Sequence, residues 1–305
     1  MEAKKNLTNG KQTMKQKLFY VRKNWQLYVF FLMPALVFTI IFKYLPMGGI
    51  LMAFEDYNVR LGLLGSEWVG LDYFKRFLSS PDFMSYLLNT LKLSLYGLLW
   101  GFPMPIILAL LLNQIRSVGI KKKIQLLIYA PNFISVIVLC GMVRMFLSPV
   151  GPLNQILGTS TNWMTMPEAF RTIYIASGIW ASIMYTAALS NVSKELEEAA
   201  MLDGANVLQQ IWYVQLPAIK NIIVIQFILS AGNIMSVGFE KAYALQTGMN
   251  LPTSEIISTY VYKIGLLNGD YGYSTAVGIF NSIINVILLL VVNGIVSKLN
   301  DGEGL

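Results

Sequence analysis

The chain has 305 residues, 55% of them hydrophobic and 13% charged, against about 25% charged in ordinary soluble domains; its mean hydropathy is +0.56. It has no histidine and one cysteine, Cys140, which excludes Ser-His-Asp and Cys-His catalysis, HExxH zinc sites, histidine-held haem and an internal disulfide. The net charge of +7 does not mark a nucleic-acid binder, because the basic residues gather at Lys4, Lys5, Lys11, Lys15, Lys17, Arg22 and Lys23 and at Arg116, Lys121, Lys122 and Lys123, directly beside long apolar runs. That is the asymmetry of a membrane protein.

Residues 1–24 read as a basic tail, and 25–297 as one membrane domain followed by a short tail, 298–305. A spanning helix needs about 20 mostly apolar residues. Six segments are predicted to cross: Gln26–Leu45, Leu93–Leu112, Gln125–Phe146, Thr172–Ala188, Ile219–Val237 and Ala276–Ile295. The first is too long for a signal-peptide core and lacks a small-x-small cleavage site, so it reads as a retained anchor. Pro34, Pro103, Pro105 and Pro131 interrupt spans, which a bundle tolerates when neighbours satisfy the freed carbonyls. Gly97 and Gly101 offer a small face for close helix contact. Residues 66–83 mix aromatics and charges and read either as a short helix in the outer interface or as a loop with aromatic anchors. Cys140 reads as a small buried apolar residue.

Lys and Arg counts set the orientation. With the N-terminus inside, the inside pieces 1–25, 113–124, 189–218 and 296–305 hold thirteen basic residues, and the outside loops 46–92, 147–171 and 238–275 hold seven. Both termini are therefore expected on the cytoplasmic side of a bacterial cell membrane.

Between the fourth and fifth spans, residues 193–217 read SKELEEAAMLDGANVLQQIWYVQLP, too polar to cross and too organised for a linker. Lys194–Leu202 predicts a helix with Glu195, Glu197 and Glu198 near its positive end. Ala199 and Ala200 leave a smooth surface for a partner. Asp203-Gly204 signals a turn. Asn206 with Gln209 predicts a capping box for a second short helix, and Pro217 suits the first turn of the fifth span. No GxxxxGK[ST] phosphate loop exists, since Gly10-Lys11 lacks both the upstream glycine and a following Ser or Thr.

Glu198-Ala199-Ala200, Gly204 and Leu216-Pro217 match the pattern EAA–x3–G–x9–I–x–L–P, with Val214 in place of isoleucine and Asp203 and Ala205 fitting its longer form. In this the chain resembles the permease subunits of binding-protein-dependent ABC importers. Tyr44-Leu45-Pro46, Asn89-Thr90, Gly101-Phe102-Pro103, residues 109–113 (ALLLN) and residues 275–278 (TAVG) resemble the carbohydrate branch related to the LplB polysaccharide permeases. A departure is Ala130-Pro131-Asn132-Phe133, where Leu-Pro-His-Phe is expected.

The resemblance implies an all-α, six-helix, type I importer bundle (MetI/MalF-like), with no catalysis and no cofactor in this chain; ATP and Mg belong to a partner ATPase. It implies two ATPase subunits, a second permease that is related but different, an extracellular solute-binding lipoprotein and an oligosaccharide or polysaccharide-fragment substrate. Coupling would run through Glu198, Ala199, Ala200, Asp203, Gly204, Leu216 and Pro217, with Glu198 meeting a basic residue of the ATPase; otherwise Glu198 is a solvated helix carboxylate.

The resemblance also directs the sugar path to the flanking spans. There Ser177, Trp180 and Met184, and Gln226, Ser230 and Asn233, each share a helix face if their helices are regular. The alternative for them is interhelical hydrogen bonding, which is the reading preferred for Asn281 and Asn285. Glu240 falls in an outer gate or loop. The competing function is an ion-coupled secondary transporter of a small polar solute, which usually needs intramembrane acids; none of the six spans contains Asp or Glu.

Overall fold

The computed structural model describes residues 23, 25–115, 117–178, 183–190, 192–232, 234–235 and 238–299. The chain divides into two units, Met1–Leu51 and Met52–Leu305. The first holds most of helix α1, Trp25–Phe54, whose 30 residues are enough to cross a bilayer at about 1.5 Å rise per residue. It runs past the expected end at Leu45, since Pro46 follows the π turn Ile40–Tyr44 and the helix continues through a 3₁₀ stretch, Leu45–Phe54. Phe30, Phe31, Phe38 and Phe42 stand exposed along it, as lipid-facing side chains would.

The second unit opens on a two-stranded antiparallel ribbon, β1 (Glu55–Asp56) with β2 (Glu67–Trp68). Helix α2, Asp72–Leu78, follows. Of the two readings open for 66–83 the structure takes the helix. Phe77 turns inward, 1% exposed, and meets Phe83, Tyr273 and Phe280 edge-on. On the same helix Tyr73 donates to Asp56 Oδ1 at 2.9 Å, and burial, with that bond, pushes its phenol up to about 12.

Helix α3, Phe83–Asn113, is longer than the expected second span. A single turn residue, Phe102, breaks its regularity, and Pro103 restarts the helix where its missing N–H costs nothing. The expected third span is not straight. Helices α4, Val118–Phe133, and α5, Val136–Phe146, meet at 105°. The cause is local: Pro131 sits in a 3₁₀ turn, Ile134 is extended, and Ser135 accepts the Val138 N–H at 3.3 Å to start a new helix. After α6, Pro152–Leu157, the expected fourth span is two helices, α7 (Pro167–Ala176) and α8 (Ile183–Ser190). Helices α9 (Lys194–Leu202), α10 (Val207–Gly232), α11 (Phe239–Leu245), α12 (Leu251–Ser254), α13 (Ile257–Tyr262) and α14 (Tyr271–Leu299) complete the unit. Among the described residues α1, α3, α10 and α14 are long and apolar enough to cross a membrane, and the bent α4–α5 pair makes a fifth crossing if it counts as one span.

Pro217 lies inside α10 and not at the start of a span. The turn before it, Ile211–Gln215, is a π turn. Proline has no N–H and its ring strikes the carbonyl four residues back, here that of Tyr213, so one wide turn lets the helix continue. Pro34 repeats the arrangement after the π turn Tyr28–Leu32.

Cys140 is buried, in a cluster with Leu93, Phe170, Leu245 and Ile256. Asn285 ties α14 to the end of α10: its Nδ2 donates to Gly232 O at 2.7 Å and its Oδ1 accepts the Met235 N–H at 3.0 Å. Asn281 adds a bond to Met235 O at 3.3 Å. These asparagines therefore pack helices, as expected. Replacing Asn285 with valine strands two backbone groups and is expected to cost on the order of 1–3 kcal/mol. A lower melting temperature of the detergent-purified protein checks this, and an unchanged one contradicts it.

Candidate functional site

The segment 193–217 folds into a sharp elbow. Helix α9 ends in a hydrogen-bonded reversal: the Gly204 N–H donates to Met201 O at 3.1 Å and the Ala205 N–H to Ala200 O at 2.9 Å, the Schellman pattern. Gly204 has φ +82°, a region that costs other L-residues roughly 1–2 kcal/mol. A Cβ built on it meets nothing within 4 Å. Within this chain glycine is thus required by backbone conformation and not by space. Asn206 and Gln209 then form the expected reciprocal cap, at 2.9 and 2.8 Å, but the helix they start does not stop. It is α10, which runs through the π turn to Gly232.

The elbow has an outer and an inner face. Glu198, Ala199, Asp203, Gly204 and Pro217 are exposed, and Ala200 and Leu216 are half-buried. Beside them Leu202 is 89% and Leu208 75% exposed, with Trp212 and Tyr213 also bare.

Inward, Glu197 Oε1 accepts from Gln215 Nε2 at 2.7 Å and from Asn113 Nδ2 at 3.3 Å. Gln114 Nε2 donates to Gln215 Oε1 at 2.9 Å, and Lys121 Nζ to Asn113 Oδ1 at 3.2 Å. Gln215 is only 2% exposed. This clamp fastens α9 to the end of α3, to α4 and to the π turn of α10. Sequence reasoning missed Glu197, Gln215 and Gln114 as site residues. The available signal was Gln215, a polar residue inside the run Ile211–Pro217.

Further along α3 and α10 lies a cleft of about 370 Å³ whose lining includes Ser94, Gly97, Gly101, Tyr174, Gln226 and Ser230. Gln226 and Ser230 thus share one wall. Gly97 and Gly101 border this open space: Cβ atoms built on them meet Ile175 Cδ1 at 3.8 Å and nothing within 4 Å, respectively. They serve the cleft and not a tight helix crossing.

Ser177 does not join this wall. It is the C-cap of α7, its hydroxyl donates back to Ile173 O at 2.7 Å, and it lines a separate apolar groove with Phe146 and Trp163. Met184 lies on α8, while Ser177 is at the end of α7. Trp180 and Asn233 lie outside the described residues. Among the described residues no lining residue of the cleft is charged and no cluster of metal-ligating side chains occurs.

Residues 24–301 match the family model described as "Binding-protein-dependent transport system inner membrane component". The chain belongs to this family. It is 41% identical over 284 residues to Protein LplB of Bacillus subtilis (strain 168), covering 90% of this chain and 89% of that one. It is 40% identical over 302 residues, at 95% and 94% coverage, to the same organism's polygalacturonan/rhamnogalacturonan transport system permease protein YteP. A crystal structure of a bacterial alginate ABC transporter, in complex with an alginate pentasaccharide-bound periplasmic protein, contains a chain that superposes with TM-score 0.84 at 36% identity, covering 94% of this chain and 99% of that one. The fold is therefore that of an ABC permease, a multi-pass membrane protein.

The two faces of the elbow separate two adjacent glutamates. Glu197→Ala leaves buried Gln215 without an acceptor, at a cost of about 1–3 kcal/mol, and is expected to speed amide exchange across 193–217, with Glu197→Gln restoring most of the protection. Glu198→Ala is expected to leave exchange unchanged. Equal protection in all three variants would contradict the clamp.

Proposed function

We propose that this chain is the permease subunit of an ATP-driven importer of oligosaccharides or polysaccharide fragments, and that the elbow is its seat for a partner ATPase. The observation that carries this reading is a bare face fixed to a rigid back. Glu198, Ala199, Leu202 and Leu208 are presented outward, while Glu197 and Gln215 hold the same helix to α3, α4 and α10. A push on such an elbow moves helix ends as a body.

ATP and Mg bind the partner, since the sequence contains no phosphate loop. The full machine has two ATPase subunits, a related but different second permease and an extracellular solute-binding lipoprotein. The alginate transporter's complex with a glycan-loaded periplasmic protein supports the solute-binding partner, and the transport named for YteP supports the glycan class. Both termini are cytoplasmic, as the basic-residue counts require, and α7 with α8 makes the sixth crossing. The cleft beside Gln226 and Ser230 is one half of the sugar path: amide and hydroxyl groups bond hydroxyls, and Tyr174 and Tyr185 offer ring faces. Trp180 and Asn233 are assigned to the same path by their place in the two spans.

Glu198→Ala and Gly204→Asp are expected to abolish glycan uptake while the protein stays in the membrane. Gly204→Asp strains the left-handed turn and places a charge on the bare face, and membrane abundance separates loss of coupling from loss of folding. Uptake measured in cells alongside membrane abundance checks both, and wild-type uptake in either variant would sink the docking role.

A further inference from the structure

The loop between β1 and β2, residues 57–66, wears its apolar side chains outward. Leu64 is fully exposed, and Val59, Leu61 and, at the loop's base, Trp68 are bare. The polar side chains are turned to the loop's own backbone. Ser66 Oγ donates to Gly62 O at 2.7 Å and accepts the Asn58 N–H at 3.0 Å. Asn58 Oδ1 accepts the Arg60 N–H at 3.0 Å, and Asn58 O accepts the Leu61 and Gly62 N–H groups at 3.0 and 2.9 Å. Gly62 has φ +70°, and a Cβ on Gly65 would fall 2.7 Å from Leu61 O, so the loop is closely wound on itself.

A turn bathed in water can leave its backbone groups to the solvent. A loop that enters a bilayer surface must satisfy them itself, because lipid offers no partners. Residues 57–66 contain no acid and one cation, Arg60, which is in none of the ion pairs among the described residues. A long cationic side chain keeps its head among phosphates while its stem lies on apolar surface. The loop is also held on the end of a spanning helix. Phe54, the last residue of α1, accepts the Val69 and Gly70 N–H groups at 2.8 and 3.0 Å, and its ring stacks on Trp68 with centroids 5.6 Å apart. No charged residue lies between Lys43 and Glu55, so the apolar run of α1 continues unbroken to the residue that carries the loop. Tryptophan at such a point suits the headgroup layer.

We propose that residues 57–66 are an interfacial anchor, a finger whose Val59, Leu61 and Leu64 lie among the lipid headgroups and upper acyl chains beside the end of α1. The proposal rests on the chain being a membrane protein and not on which solute it carries.

The test uses the complete importer in phosphatidylcholine proteoliposomes, first without binding protein. Nitroxide labels are placed by Leu64→Cys and, separately, by Lys75→Cys, each in a Cys140→Ala background whose own labelled signal is subtracted. Lys75, paired with Asp72 on the exposed face of α2, marks water. The ratio of collisions with oxygen to collisions with a water-soluble nickel chelate is expected to be several-fold higher at Leu64 than at Lys75, and to stay so when binding protein is added. Equal ratios at the two sites overturn the proposal. So does a Leu64 label that the chelate reaches until binding protein arrives, which would mark a protein-docking finger, or one shielded from both probes, which would mark a contact inside the importer. A second measurement needs no label. Phosphatidylcholine with a photoactivatable acyl chain is expected to crosslink to residues 57–66 of wild type, and the double variant Leu61→Asp, Leu64→Asp to lose that crosslinking several-fold while crosslinks to α1 persist. Unchanged crosslinking in the double variant, or none in wild type, overturns the anchor.

Discussion

The bond from Gln215 to Glu197 is the constraint on which the elbow depends. An exposed turn of helix has little reason to hold one orientation, and a surface ion pair would add little. Here the acceptor is a carboxylate and the donor is buried in the π turn of α10. Breaking the bond leaves a desolvated amide, so the geometry is enforced by the cost of its absence. Asn113, Gln114 and Lys121 extend the same logic to α3 and α4. The elbow is consequently a continuation of the bundle and not an appendage to it.

The π turn serves two ends at once. It absorbs Pro217, which an α-helix interior would not accept without a kink, and it carries Gln215 into the clamp. The expected design was a second short helix followed by a separate span. The observed one is a single helix from Val207 to Gly232, so the elbow and the wall that holds Gln226 and Ser230 share one continuous helix. The bundle's prolines thus divide by surroundings. Those at a helix start cost nothing, those after a π turn are absorbed, and Pro131, followed by an extended residue and a fresh serine cap, turns the chain by 105°.

Much of the candidate site was legible because it is locally encoded. A capping box, a left-handed glycine and a run of helix formers each declare themselves within five or six residues, and 193–210 folded as those signals predict. The pair Gln226 and Ser230 on α10 was legible too, since helical spacing alone puts them on one side. The end of α7 at Ser177 was not, because no proline or glycine signal immediately precedes it in the chain.

By itself the sequence determined that the chain lives in a bilayer, roughly which segments are apolar helices, and that a sharp elbow lies at 193–210, because hydropathy, charge asymmetry and turn chemistry are properties of neighbours in the chain. Only the tertiary structure decided which of two adjacent glutamates points in and which out, and that two glycines border a cleft. Those outcomes depend on partners far apart in sequence, such as Asn113 with Glu197 and Gln114 with Gln215, and on where packing leaves a carbonyl or a void. No local pattern carries that information.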